Sequence, residues 1–197
     1  MDFKDIKVQT GIQQQSLEVI LKSRSIVITG KINKDTSRLF QEKILFLEAS
    51  DGDKPIFVYI DSEGGDIDAG FAIFNMIRFV KTKVFTIGVG LVASAGALIF
   101  LGADSKSRFS LPYARYLLHQ PLSGFKGVAT DIEIYTNELN KIKSELNLII
   151  SKETGQKLDK VEKDTDRDFW LDSQSAMKYG LVFNIITTRL ELEKFIS

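Results

Sequence analysis

The stretch VFTIGVGLVASAGALIFLGA, Val84 to Ala103, runs for twenty residues without a charge. Length alone would let such a run cross a bilayer as one helix. Its composition argues for something else. VFTIGV is β-branched and strand-like, whereas SAGALIFLGA suits a helix. Gly88, Gly90, Gly96 and Gly102 interrupt the run, and no aromatic belt flanks it. Two buried elements in series, a strand feeding a helix, account for it better, with Ser94 at their junction. A parallel strand covered on both faces reads as a continuous apolar run for this reason.

Working outward, strand-like segments recur at SIVITG, PIFVYID, KVFTIGV, ARYLLH and NIITTR. Helical patterns lie between several of them. DTSRLFQEKILFLEAS offers Asp35 or Thr36 as a cap and Leu39, Ile44, Leu45 and Leu47 as an apolar face. DIDAGFAIFNMIRFV follows a Gly-Gly turn and is expected to point Phe71, Phe74, Ile77 and Phe79 inward. Strand, helix, strand in repetition predicts an α/β fold with crossover connections. Over about residues 130–153, Ile132, Tyr135, Leu139, Ile142, Leu146 and Ile149 recur at alternating spacings of three and four. That stripe predicts a long helix, lying either on its own core or against another subunit.

The chain has 197 residues, 26 basic and 26 acidic side chains, and no cysteine. Its length suits one domain with a sizeable core. The neutral balance offers no footprint for nucleic acid. Without cysteine there is no disulfide framework, thiolate nucleophile or thiolate metal site. The N-terminus mixes acids, lysines and glutamines where a secretory signal needs an apolar core. A cytoplasmic protein, free of membrane and nucleic acid, is the expectation.

His119 is the only histidine, so any imidazole-activated serine must use it. It ends the ARYLLH strand, and Pro121 follows. Strand ends are where catalytic groups gather in α/β folds, though a lone histidine also serves as a partly buried structural residue. A base of this kind needs an acceptor on its second nitrogen. Asp164, Asp166 and Asp168 are available, and spacing does not choose among them; a solvated turn with Arg167 as counter-ion fits equally well. The turn in DSEGGDIDAG, with a strand ending at Asp61 and a helix starting near Asp66, could aim backbone N–H groups at an anion. It matches neither the phosphate-loop lysine pattern nor the dinucleotide fingerprint. Ser94 lacks the first glycine of the G-x-S-x-G elbow, yet its small neighbours still allow a tight junction.

Taken together, FVYIDSEGGDIDAGFAIFNMI, TIGVGLVASAGALIFLGA, LPYARYLLHQPLSGFKGVATDIEI, TGQKLDKVEKDTDRDFW and SAMKYGLVFNIITTR resemble the proteolytic subunits of the Clp (caseinolytic) serine proteases, the ClpP family, in order over roughly residues 20 to 190. The resemblance implies a ClpP/crotonase-like spiral of ββα units with a projecting handle helix, preceded by an axial segment over residues 1–20. It implies Ser94 as nucleophile, His119 as base and Asp168 as third triad member, with Gly65 and Ala95 supplying the oxyanion hole. Gly124, Phe125, Lys126 and Gly127 match the stretch that pairs with substrate. Asp166 and Arg167 match ring-contact ion-pair partners. Phe57, Tyr59 and Phe79 match the apolar surface that docks a AAA+ unfoldase of the ClpX, ClpA or ClpC type. The implied particle is a barrel of two stacked heptameric rings that degrades unfolded polypeptides. It needs no cofactor of its own, since ATP is used by the partner ATPase.

Departures from the family pattern are Glu63 for proline in Ser-Pro-Gly-Gly, Ala95 for methionine, Phe183 for aspartate, and the lack of a Tyr-Asp-Ile-Tyr segment near the start. They suggest a second, specialised paralogue that works in a mixed barrel. Two rivals remain at this stage: an inactive ring subunit, and a crotonase-type acyl-CoA enzyme sharing the spiral fold.

Overall fold

The computed structural model describes residues 18, 19, 22–122, 124 and 126–196. The axial segment expected over 1–20 therefore lies outside the described residues apart from 18 and 19, as does Phe125. Strands β1 (Ser25–Ile32), β2 (Ile56–Gly65), β3 (Val84–Ala93), β4 (Arg108–Ser110) and β7 (Asn184–Ile185) lie side by side in that order, all parallel. Helices α1 (Lys34–Ser50) and α2 (Ile67–Phe79) make the first two crossovers. The spiral α/β architecture implied by the sequence is the one observed.

The uncharged run divides where its composition changes. Residues up to Ala93 form β3, and Ala95–Phe100 form α3. No helix among the described residues is long and apolar enough to cross a membrane. Both faces of the sheet are covered, which explains the unbroken apolar character of β3. One face packs Ile56, Val58 and Ile60 against α1 and α2. The other stacks Phe57 on Phe85 with ring centroids 5.6 Å apart, and Phe109 lies 6.0 Å from Phe85. Each buried side chain of this size contributes about 1.5–3 kcal/mol.

Three local expectations are corrected. Asn33, not Asp35 or Thr36, caps α1, its side chain accepting from the Thr36 N–H at 2.9 Å. The buried face of α1 is Ser37, Phe40, Ile44 and Leu47, while Leu39 and Leu45 face outward. On α2, Ile73 and Ile77 are buried, Phe71 and Phe74 are half-buried, and Phe79 at the last turn is 75% exposed. For the two apolar faces, the phase of the helix is set by which side meets the sheet, and a stripe of several apolar residues does not specify that by itself.

Strand β3 forks. Thr86–Gly88 pair with β4, whereas Leu91–Ala93 pair with β5 (Arg115–Leu118). An antiparallel partner, β6 (Phe169–Asp172), lies beyond β5. The long helix α4 (Ala129–Thr154) follows β5, then the short α5 (Leu158–Thr165) leads back to β6. Within α4 only Asn147 and Ile150 are buried, so most of the helix projects from the core. Its inner end is anchored by charge. Arg108, fully buried on β4, donates to the Glu153 carbonyl at 2.6 Å, and Arg78 lies 2.6 Å from the Glu153 carboxylate. Burial lowers the Arg108 guanidinium to about 10 despite the neighbouring carboxylate.

Candidate active site

The fork places Ser94 beside the end of β5. Ala93 pairs with Leu117, and the Ser94 N–H donates to the Leu117 carbonyl at 3.0 Å. Ser94 itself has φ 55° and ψ −121°, and among the described residues only Arg24 joins it as a non-glycine residue at positive φ. Such a backbone costs on the order of 1–3 kcal/mol and persists where the surroundings over-determine it. Here they do. Ser94 caps α3 through its carbonyl, which accepts from Ala97 and Leu98 at 2.9 and 3.1 Å. Its hydroxyl takes no part in capping and stays available.

The Gly-Gly turn packs directly on this junction. Strand β2 does not stop at Asp61 but continues through Gly65, with Asp66 capping α2 by accepting from the Ala69 N–H at 2.8 Å. Gly64 and Gly65 have φ 93° and 151°. A Cβ on Gly64 would lie 2.7 Å from Ser94 Cβ and 2.8 Å from the Ala93 carbonyl. One on Gly65 would lie 2.1 Å from the Ile32 carbonyl. Only glycine fits either position. The turn is thus pressed against the Ser94–Ala95 peptide, and Ala95 itself is fully buried.

The β5–β6 register selects among the three aspartates. Leu118 pairs with Phe169, so the next antiparallel pair outward is His119 with Asp168. Their Nδ1 and Oδ1 atoms are 3.2 Å apart. Asp164 instead accepts from Tyr179 Oη at 2.8 Å and pairs with Lys160. Asp166 pairs with Lys143 at 3.4 Å, and its carbonyl accepts from Gln120. Arg167 is exposed and is not the counter-ion of any of them. Among the described residues no hydrogen bond joins Ser94 Oγ to His119, although both line one cleft of about 650 Å³. A catalytic hydrogen bond often tightens only when substrate binds.

One wall of that cleft was not legible from the motifs. Tyr135, Leu139, Ile142 and Leu146 of the α4 stripe face Ser94 and His119 across it, with Leu98 and Leu118 as apolar floor. Within the single chain the stripe over this length borders the cleft. Gly124, Lys126 and Gly127 are exposed and lie in no strand. Phe57, Tyr59 and Phe79 differ in their surroundings within the single chain. Phe57 is buried beside Phe85 with the Arg189 guanidinium 5.3 Å over its ring, Tyr59 accepts from Arg189 at 2.9 Å, and Phe79 lies outside both apolar clusters. The cause is the helix α7 (Arg189–Glu193), which folds back over that face of the sheet.

Known proteins resemble this chain over most of its length. The family model for Clp protease matches residues 9–189. ATP-dependent Clp protease proteolytic subunit 2 of Borreliella burgdorferi is 78% identical over 186 residues, 94% of each chain. The protein of the same description from Treponema pallidum is 54% identical over 174 residues, 88% of this chain and 87% of the other. Among solved structures, a ClpP1 mutant from Listeria monocytogenes superposes with a TM-score of 0.83 at 39% identity, covering 89% of this chain and 98% of that one. A match that spans nearly the whole of both sequence and fold means that the chain belongs to the Clp protease family, as a proteolytic subunit.

Proposed function

We propose that the chain is a serine-type endopeptidase subunit in which Ser94, His119 and Asp168 form the triad. The observation that carries this reading is the forked strand. It sets Ser94 beside β5, while the β5–β6 register pairs His119 with Asp168. In the proposed reaction Ser94 Oγ attacks the peptide carbonyl carbon as its proton passes to His119 Nε2. Asp168 holds the Nδ1–H and stabilises the imidazolium. The N–H groups of Gly65 and Ala95 stabilise the tetrahedral oxyanion. His119 then gives the proton to the leaving amine, and water hydrolyses the acyl-enzyme by the same path.

The acting form is proposed to be a barrel of two heptameric rings, fed with unfolded polypeptide by a AAA+ unfoldase. Enclosure supplies selectivity that an open cleft of this kind lacks. Within it, Gly124 to Gly127 would pair with the substrate strand, Asp166 and Arg167 would meet a neighbouring ring, and Phe79 would contribute to ATPase docking. A mixed barrel with a second proteolytic subunit is favoured by the departures from the family pattern at Glu63, Ala95 and Phe183. The numbering of the Borreliella and Treponema relatives as subunit 2 is in keeping with it. A fluorophosphonate probe tests the chemistry: it labels the assembled protein and misses Ser94→Ala. Peptidase rates of the homomer and of a co-expressed mixture test the partnership. Equal rates per Ser94 site would end the mixed-barrel reading.

A further inference from the structure

Two adjacent glycines at φ 93° and 151° have more freedom than any other dipeptide, yet an oxyanion donor must not wander. Something has to hold them. On one side the Asp66 N–H donates to the Ile32 carbonyl at 2.9 Å. On the other side stands Ser62, 1% exposed. Its hydroxyl donates to the Gly30 carbonyl at 2.5 Å and accepts from the Gly64 N–H at 3.0 Å. Both sheet ladders slip around this point: β1 against β2 between Thr29 and Lys31, and β2 against β3 between Ile60 and Ser62. The first slip leaves Gly30 on β1 and Ser62-Glu63 on β2 out of the β1–β2 register, which resumes at Lys31 with Gly64 and Ile32 with Gly65, and the Ser62 hydroxyl links Gly30 to Gly64 across the gap. Ser62 also touches the far side of the Ser94 junction. A Cβ on Gly96 would lie 3.3 Å from the Ser62 carbonyl and 3.5 Å from Ser62 Cβ.

We infer that Ser62 is a positioning residue for the oxyanion hole: its buried hydroxyl pins the Gly64-Gly65 turn against the Ser94 junction and so aims the Gly65 N–H. This rests on the serine-peptidase reading above. Ser62 touches no substrate. It acts by fixing φ at Gly64, and its removal leaves the buried Gly64 N–H without this partner.

The test uses the assembled full-length protein, with Ser94→Ala as blank. In Ser62→Ala, kcat on a fluorogenic peptide and the rate of fluorophosphonate labelling are each expected to fall about 10- to 100-fold, with KM within about twofold, because the lost order matters only where negative charge develops. Ser62→Cys keeps the volume but is a weak donor and acceptor, and it is expected to fall in the same direction. It carries the comparison by itself if the alanine variant does not assemble. Parent-like kcat and labelling in the cysteine variant, or a loss confined to KM, would reduce Ser62 to a packing residue and overturn the inference. A parent that labels no faster than Ser94→Ala removes the serine reading, and this inference with it. A parent that labels normally while both Ser62 variants keep pace removes the inference alone.

Discussion

Ser94 and His119 stand at the ends of neighbouring strands, yet the matter around them differs. Beside Ser94, Val92, Ala93, Ala95 and Ala97 are all within 2% of complete burial, and Gly64 presses on the junction from the opposite side. Beside His119, the partner Asp168 has a side chain 63% exposed, and the described residues between Gln120 and α4 lie in no helix or strand. The nucleophile half is set by close packing, which has no nearby alternative arrangement. The base half is set by one register pair and one hydrogen bond in contact with solvent. Such a division leaves the base half as the part that neighbouring subunits or substrate can adjust.

The largest expected effect removes the nucleophile. Ser94→Ala is predicted to lower peptidase activity by at least about 10⁴-fold, with an unchanged thermal midpoint, since the hydroxyl makes no capping bond. Peptide turnover with a fluorogenic substrate measures it, and retained activity would place the chemistry elsewhere. Next comes packing of the nucleophile half. Gly64→Ala puts a methyl 2.7 Å from Ser94 Cβ on a backbone at φ 93°. Activity should fall about 10²- to 10³-fold, the range for losing an oxyanion donor, and the thermal midpoint should drop as well. If activity survives, the nucleophile half is more pliable than its burial implies, and the contrast with the base half fails.

That contrast also decides what could be read from the chain alone. The split of the apolar run at Ser94 was legible because strand-forming and helix-forming residues change over at one point. The glycine turn was legible because adjacent glycines have few other uses. Asp168 was not separable from Asp164 and Asp166, since the choice depends on which residue of β6 faces Leu118. Ser62 carried no signal, because a serine before a turn looks like any other until the two ladder slips are seen. The α4 stripe was correctly periodic, but periodicity cannot say whether an apolar face meets a core, a partner or a cleft. The docking role of Phe57 and Tyr59 was implied by the resemblance alone, and nothing local in β2 signals that Arg189 of α7 lies over the Phe57 ring and bonds Tyr59.

A third change probes the wall that the base half shares. Glu153 ties the inner end of α4 to Arg108, which is fully buried, and to Arg78. Glu153→Ala keeps the backbone carbonyl that Arg108 bonds but removes the carboxylate 2.6 Å from Arg78 and 3.8 Å from Arg108, and should cost about 2 kcal/mol. Chemical denaturation measures it. If the loss is small, α4 is held by its apolar contacts instead, and the charged anchor is incidental to the cleft wall.

The smallest effect concerns β6, the strand that presents Asp168 at one end and caps α6 (Ser173–Tyr179) at the other. The Asp172 carboxylate accepts from the Ser175 N–H at 2.7 Å, and that bond holds its pKa below the usual carboxylate range. The folded protein therefore binds this proton more weakly than the unfolded chain. The resulting stability is fully present above the unfolded value and is lost as the pH falls through the lowered folded value. Asp172→Ala should thus show a slightly lower thermal midpoint than the parent at neutral pH. The two midpoints should converge in acid once the carboxylate is protonated in the folded state too. A difference that persists unchanged in acid would assign the effect to lost packing rather than charge. It would also mean that β6 is held as firmly as β3, so that exposure at Asp168 no longer marks the base half as the adjustable one.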